Sequence, residues 1–310
     1  SSTLRKLKDE NSENIYLTSA FDAEELTALT LLYMNEKFRP ESNKHLEKEI
    51  QAYEKDKKIT LAQNQRLAVI SALNSGVSII TGGPGTGKTT TINTIIHYFE
   101  AENLDVLLAA PTGRAAMRMS ELTGMEAQTI HRLLGMKWDE ATHQVTFAKT
   151  EQEPLEADAV ILDEMSMVDV LLLHSLLRAI PAGKRLIFVG DPDQLPPVGP
   201  GFPFGDCLRS EMLPSVRLTE IFRQDEKSMI VYNAHRINHG EYPLIQNKDT
   251  DFFLERKESA QLAQESVTAL VLNRLPKYLG VDSLRGIQVM APMKKGPLGV
   301  WQMNQTLQAA

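Results

Sequence analysis

Gly82-Gly83-Pro84-Gly85-Thr86-Gly87-Lys88-Thr89 is the stretch on which the fold turns. It follows a fixed pattern: a glycine, four residues, then Gly-Lys-Thr, the spacing of a loop that cradles phosphates. Glycines let successive backbone N–H groups turn inward around anionic oxygens. Before the loop, Val77-Ser78-Ile79-Ile80 predicts a buried strand; after it, Thr89 to Glu100 predicts a helix. A helix that starts at the loop aims the positive end of its dipole at the same anion. In that setting Lys88 reaches the β- and γ-phosphates of ATP, and the Thr89 hydroxyl ligates Mg²⁺. Gly83, Pro84, Gly85, Thr86 and Gly87 form the cradle, with Thr90 just inside the helix.

Outward from the loop, short apolar runs alternate with helical patterns. Val106-Leu107-Leu108-Ala109, Ala159-Val160-Ile161-Leu162 and Arg185-Leu186-Ile187-Phe188-Val189 predict three more strands, with helices near Arg114 to Leu122 and Leu171 to Ala179. Strands that are apolar on both faces and alternate with helices mean an α/β fold, a parallel sheet with helices on both sides. Ligands of such sheets sit at the carboxyl ends of the strands. Gly135 to Pro154 interrupts the alternation and predicts a β-hairpin holding Trp138, Val145 and Phe147. Trp138 and Phe147 are read first as cross-strand partners that hold it together.

Residues 1–58 are a charged, helix-leaning lead-in. Asp22-x-x-Glu25 has the spacing of a capping box, and Leu26, Leu29 and Tyr33 mark one helical face. Ile287-Gln288-Val289-Met290 predicts a strand opening another sheet.

Bulk properties narrow the class. With 33 basic and 40 acidic residues the net charge is −7, which argues against a basic coat for nucleic acid and leaves a local basic groove open. The single cysteine, Cys207, allows no disulfide within the chain and fits a reducing cytoplasm. No stretch approaches the roughly 18 uninterrupted apolar residues that a membrane span needs, and Ser1-Ser2-Thr3-Leu4-Arg5 has no apolar signal core. With no starting Met and a C-terminus at Gln308-Ala309-Ala310, the chain is read as a piece of a longer protein.

Two further stretches carry chemistry. Asp163-Glu164 follows the third predicted strand at once. Asp163 would hold Mg²⁺ and Glu164 would accept a proton from the attacking water. Gln194, after the fourth strand, could touch both the γ-phosphate and that water; an ordinary loop residue remains open. Arg223 could bring positive charge to the transition state from a neighbouring domain; a surface arginine remains open.

The ordered series resembles superfamily 1 DNA helicases, and within them the RecD-like branch. Leu61-Ala62-Gln63-Asn64-Gln65 looks like the adenine-reading motif, with Gln65 as reader. Ala110-Pro111-Thr112-Gly113-Arg114-Ala115-Ala116 and Thr129-Ile130-His131-Arg132-Leu133-Leu134 look like the first DNA-contacting motifs. Asp163 to Met167, Gly190 to Gly201 and Leu218 to Gln224 look like motifs II, III and IV, and Ala291 to Gly299 like a stretch of the second motor domain. The resemblance implies an ATP hydrolase built of two RecA-like domains. It implies 5′-to-3′ movement on single-stranded DNA, action at single-strand/duplex junctions, a role in repair or recombination, and a monomer. DNA contacts would fall on Pro111, Thr112, Gly113, Arg114 and His131. The division it suggests is a lead-in at 1–58, a first motor domain at 59–222 with an insertion at 135–153, and a partial second domain at 223–310.

The chain departs from the family pattern in one respect. Neither a Lys-Ser-Gln-Gly nor a Thr-Arg-Ala stretch occurs in its C-terminal part. The resemblance then implies a segment that binds ATP and unwinds little. Other readings are the motor segment of a conjugative relaxase, a P-loop ATPase that remodels protein, and a non-catalytic nucleic-acid module.

Overall fold

The computed structural model describes residues 3–9, 12–40, 46–140, 144–220, 228–246, 248 and 250–310. The chain divides into two compact units, Ser1–Lys227 and Ser228–Ala310.

The first unit opens with an antiparallel hairpin, β1 (Leu4–Asp9) and β2 (Ser12–Leu17), and two helices, α1 (Thr18–Lys37) and α2 (Leu46–Lys57). Then follow α3 (Gln63–Asn74), β3 (Val77–Thr81), α4 (Lys88–Ala101), β4 (Val106–Ala110), α5 (Gly113–Thr123), β5 (Ala127–Thr129) and α6 (Ile130–Leu133). A second hairpin, β6 (Met136–Asp139) and β7 (Gln144–Phe147), precedes β8 (Ala159–Leu162), α7 (Val170–Leu177), β9 (Arg185–Gly190), α8 (Pro203–Ser210) and β10 (Ser215–Arg217). Six strands form one sheet in the order β10-β3-β9-β8-β4-β5, with every pairing parallel. Strand β9 therefore stands between β3, which leads into the phosphate loop, and β8, which leads into Asp163.

The two-residue period of the strands splits the core into two layers. Val77 and Ile79, Val160 and Leu162, and Leu186 and Phe188 face α1, α7 and α8. Ile80, Ala159 and Ile161, and Ile187 and Val189 face α2, α3, α4 and α5. The expected parallel sheet with helices on both faces is thus present.

The lead-in differs from its sequence reading. A hairpin precedes the helices, and Asp22 does not cap α1, which starts one turn earlier at Thr18. Asp22 instead accepts a 3.0 Å bond from Arg5 of β1, with Glu25 3.9 Å from the same guanidinium. Leu26, Leu29 and Tyr33 are exposed, while Ala23, Thr27, Leu31 and Met34 are buried. Both sets have helical spacing, and the set with small residues at 23 and 27 permits the closer approach. The lead-in is also part of the core. A Cβ on Gly76 would stand 2.5 Å from the Met34 carbonyl oxygen and 2.6 Å from Phe38 Cβ, so only glycine fits where α1 passes.

In the second unit, α9 (Met229–Asn238), α10 (Ala260–Ala269), α11 (Leu275–Leu279), α12 (Ser283–Gly286) and α13 (Val300–Ala309) are joined by turns. A π turn at Leu270–Arg274 carries α10 into α11, where Pro276 has no N–H to give. Asn233, fully buried, exchanges two bonds with the backbone of Leu244, at 2.9 and 2.7 Å. The strand predicted at 287–290 is not formed. No strand occurs among the described residues of this unit, and a lone extended segment has nothing to pair with.

Candidate active site

The loop between β3 and α4 is shaped by two glycines with positive φ, Gly85 at 73° and Gly87 at 79°. Its floor is the carboxyl end of the inner strands β3 and β9, where the Gly82 N–H donates to the Gly190 carbonyl at 3.2 Å. A Cβ on Gly82 would meet Thr86 Oγ1 at 2.5 Å and the Leu218 carbonyl oxygen at 3.0 Å. Thr86 Oγ1 donates to the Gly83 carbonyl at 2.8 Å, and Lys88 Nζ donates to the carbonyls of Gly82 and Gly83. Gln65, at the start of α3, reaches the same loop through a 3.2 Å bond from Nε2 to the Gly87 carbonyl.

A cleft of about 490 Å³ brings the loop residues Gly83 to Thr89 together with Asp163, Glu164 and Gln194. Asp163 leaves the end of β8, and its N–H is bonded to the Ala109 carbonyl at 3.0 Å. Its Oδ1 accepts from the Glu164 N–H at 2.8 Å. Burial pushes the Asp163 carboxyl above the usual carboxylate range, against that N–H and the nearby charges of Lys88 and Arg118. Glu164 sits at φ 54°, a left-handed conformation a glutamate seldom adopts. Burial, then the charge of Asp163, raises its carboxyl too, while Lys88 and the Gln194 amide pull the other way. A carboxylate lifted towards neutral pH suits proton acceptance. Gln194 is held by a turn in which its N–H donates to the Asp191 carbonyl at 3.2 Å, and its Oε1 accepts from Ser166 Oγ at 3.3 Å.

Pro111, Thr112, Gly113 and Arg114 lie at the carboxyl end of β4. The Thr112 hydroxyl caps α5, accepting from the Ala115 N–H at 3.2 Å. Gly113 and Arg114 are exposed, and a Cβ on Gly113 would meet nothing within 4 Å. His131 is the second residue of α6, which follows β5, and its ring lies 6.2 Å from that of Phe147 on the inserted hairpin. The inserted hairpin is formed as expected, but Trp138 stands opposite Val145 and Met136 opposite Phe147, so Trp138 and Phe147 are diagonal neighbours and not the directly opposed pair read from the sequence. Arg223 lies outside the described residues. Of the other candidate nucleotide residues, Gln65 and Thr90 do not line the cleft, and Gln65 touches the loop only through Gly87.

Residues 65–200 match the family described as AAA domain. The chain is 36% identical over 249 residues to an ATP-dependent RecD2 DNA helicase of Deinococcus radiodurans, covering 80% of this chain and 32% of that protein. It is 36% identical over 169 residues to the RecD subunit of the RecBCD enzyme of Mycolicibacterium smegmatis, covering 47% of this chain and 30% of that one. The chain is thus similar to RecD-type DNA helicases over most of its length.

It spans about a third of the length of these curated relatives. Among solved structures, the Pif1 helicase of Candida albicans is 24% identical with a TM-score of 0.47, covering 70% of this chain and 55% of that one.

The loops of the cleft carry a donor set that fits Mg²⁺. The Thr89 hydroxyl and the Asp163 carboxylate border one cleft, and Mg²⁺ takes one or two protein oxygens beside phosphates and water. One charged lining residue escaped the sequence reading. Arg118, on α5, borders the cleft near enough to act on Asp163. Its signal was the helical spacing of four from Arg114, with the cleft side unknown until the sheet order was fixed.

Proposed function

We propose that this chain is the nucleotide-binding motor segment of an ATP-dependent DNA translocase of the RecD-like kind. The observation that carries the proposal is the single cleft shared by the phosphate loop, the acidic pair and Gln194. Lys88 and the backbone of Gly83 to Gly87 hold the triphosphate, with Thr90 beside them. Mg²⁺, held by Thr89 and Asp163, neutralises charge on the phosphates. Glu164 takes the proton of the attacking water while Gln194 orients it. Arg223 adds positive charge from outside this set. Pro111, Thr112, Gly113, Arg114 and His131 lie at carboxyl ends of neighbouring strands, where they contact the backbone or bases of single-stranded DNA.

We further infer 5′-to-3′ movement, engagement of single-strand/duplex junctions, action as a monomer in the cytoplasm, and a place in DNA repair or recombination. Among the described residues, no helix is long and apolar enough to cross a membrane. Residues 135–153 are assigned as the insertion of the first motor domain and residues beyond 222 as the start of a second.

The test is ATP binding and hydrolysis with and without a single-stranded oligonucleotide, for the chain and for Lys88→Ala. Hydrolysis stimulated by DNA and lost in Lys88→Ala supports the translocase. Hydrolysis indifferent to DNA favours a protein-remodelling ATPase and overturns it. Binding without hydrolysis places the missing arginine chemistry outside these residues.

A further inference from the structure

Gln194 lies on an exposed loop, yet one end of its amide is tied to a buried side chain. Ser166 is fully buried, and its Oγ donates to Gln194 Oε1 at 3.3 Å. Ser166 does not line the cleft, so it stands behind the amide and not beside a bound nucleotide.

The local fold brings the two residues together. Glu164, at φ 54°, turns the chain leaving β8 into a short 3₁₀ turn, Met165–Met167. The Met167 N–H closes that turn on the Glu164 carbonyl at 3.0 Å, and the Val168 N–H bonds the Met165 carbonyl at 3.1 Å. The turn is pressed against the end of β9, where a Cβ on Gly190 would stand 3.3 Å from Met165 N. Strand β9 leads in turn into the loop of Gln194. Glu164 and Ser166 therefore approach one amide from one turn.

Their chemistry sorts the two ends of that amide. An ionised carboxylate only accepts, whereas a hydroxyl can give or accept. The amide draws the Glu164 carboxyl down, so its N–H groups are the ones that meet that residue. The carbonyl oxygen is left to Ser166, which donates to it. Glu164 decides which end faces the cleft, and Ser166 holds the side chain in place. Without the hydroxyl, nothing described would fix the exposed amide from behind, and each arriving ligand would have to order it afresh.

We propose that Ser166 is a positioning residue that holds the Gln194 amide ready for the γ-phosphate and the attacking water, a proposal that rests on the nucleotide reading above. Its effect passes through Gln194 alone. A ligand that carries a γ-phosphate feels it, and one that ends at the β-phosphate does not.

The test is a double-substitution cycle read by binding, so it does not depend on turnover. Dissociation constants of ADP and of a non-hydrolysable βγ-imido ATP analogue, both with Mg²⁺, are measured by calorimetry for wild type, Ser166→Ala, Gln194→Ala and the double variant. Gln194→Ala should weaken the analogue by about tenfold and leave ADP within about twofold. Ser166→Ala should weaken the analogue by about threefold or more, again sparing ADP. In the Gln194→Ala background the serine substitution should add nothing, because the group it positions is gone. Ser166→Cys, close in volume and a weak donor, should fall between wild type and Ser166→Ala, and it carries the test should the alanine variant fail to melt cooperatively. Equal weakening of the analogue and ADP would make Ser166 a structural residue and overturn the proposal. So would an unchanged Ser166→Ala, a factor that persists in the double variant, or a Gln194→Ala that binds the analogue like wild type. Wild-type protein that bound neither ligand, or Lys88→Ala that bound both as well as wild type, would bring down the nucleotide reading itself.

Discussion

Lys88 Nζ lies 2.5 Å from the Gly82 carbonyl oxygen and 3.0 Å from that of Gly83, so the ammonium is held by the backbone of its own loop. Charged phosphate oxygens are stronger acceptors for it than neutral carbonyls. Lys88→Ala should therefore lose triphosphate affinity or turnover by about a hundredfold or more. Thermal stability should change by only about 1 kcal/mol, because two modest hydrogen bonds are removed. A nucleotide titration beside a thermal melt separates these effects. A melt that collapses while affinity holds would refute the assignment.

Asp163 carries a stability cost of its own. Burial raises its carboxyl above the usual range, so the folded state favours the protonated form. Its contribution to stability is complete below the unfolded pKa and is lost as pH rises through the folded value. Asp163→Asn keeps the oxygen that accepts the Glu164 N–H and cannot ionise. We expect its melting temperature to exceed that of wild type at neutral pH. The difference should fade as pH drops to about 4, near the ordinary carboxylate pKa. Hydrolysis should be lost at every pH. Melts across that range would expose an error as a pH-independent difference.

Thr112 serves the fold as well as any bound strand. Its hydroxyl caps α5, so Thr112→Val should cost about 1 kcal/mol of stability, while Thr112→Ser should cost little. If phosphate contact is a second duty, Thr112→Val weakens oligonucleotide binding by more than the fraction unfolded explains. Denaturant melts and an anisotropy titration on the same samples decide it.

Cys207 should be a slow thiol. Burial, aided by the charge of Asp206, pushes it up to about 11, so little thiolate exists at pH 8. Alkylation by iodoacetamide should run well below the rate of a small free thiol and rise through pH 9 and 10. Rapid labelling at pH 8 would show that Cys207 is not held in the buried setting described.

The sheet was legible from sequence because its central strands are apolar on both faces. Val77 to Ile80, Ala159 to Leu162 and Arg185 to Val189 all lie where their patterns placed them. The edges were not. Ser215-Val216-Arg217 holds one apolar residue and becomes a strand only by pairing with Ile79, Ile80 and Thr81. Ala127-Gln128-Thr129 likewise depends on β4. In the lead-in, two stripes of α1 shared the helical period, and only the contact with the sheet and α7 chose between them. At the site, spacing identified the phosphate loop and the acidic pair. It could not reveal that Gln65 would be buried or that Arg118 would border the cleft, since both depend on where neighbouring helices lie.

Leu218 donates its N–H to the Thr81 carbonyl at 2.7 Å, and its own carbonyl lies against Gly82. The peptide leaving the sheet is thus fastened, main chain to main chain, to the first residues of the phosphate loop. Substitutions at the exposed positions 215 and 217 that keep an extended backbone should be tolerated freely. At 218 neither a proline, which has no N–H, nor a polar residue in place of the buried leucine should be. A library of variants across these positions would then show tolerance alternating along the tract, with the main-chain bond and the buried leucine both needed at its end.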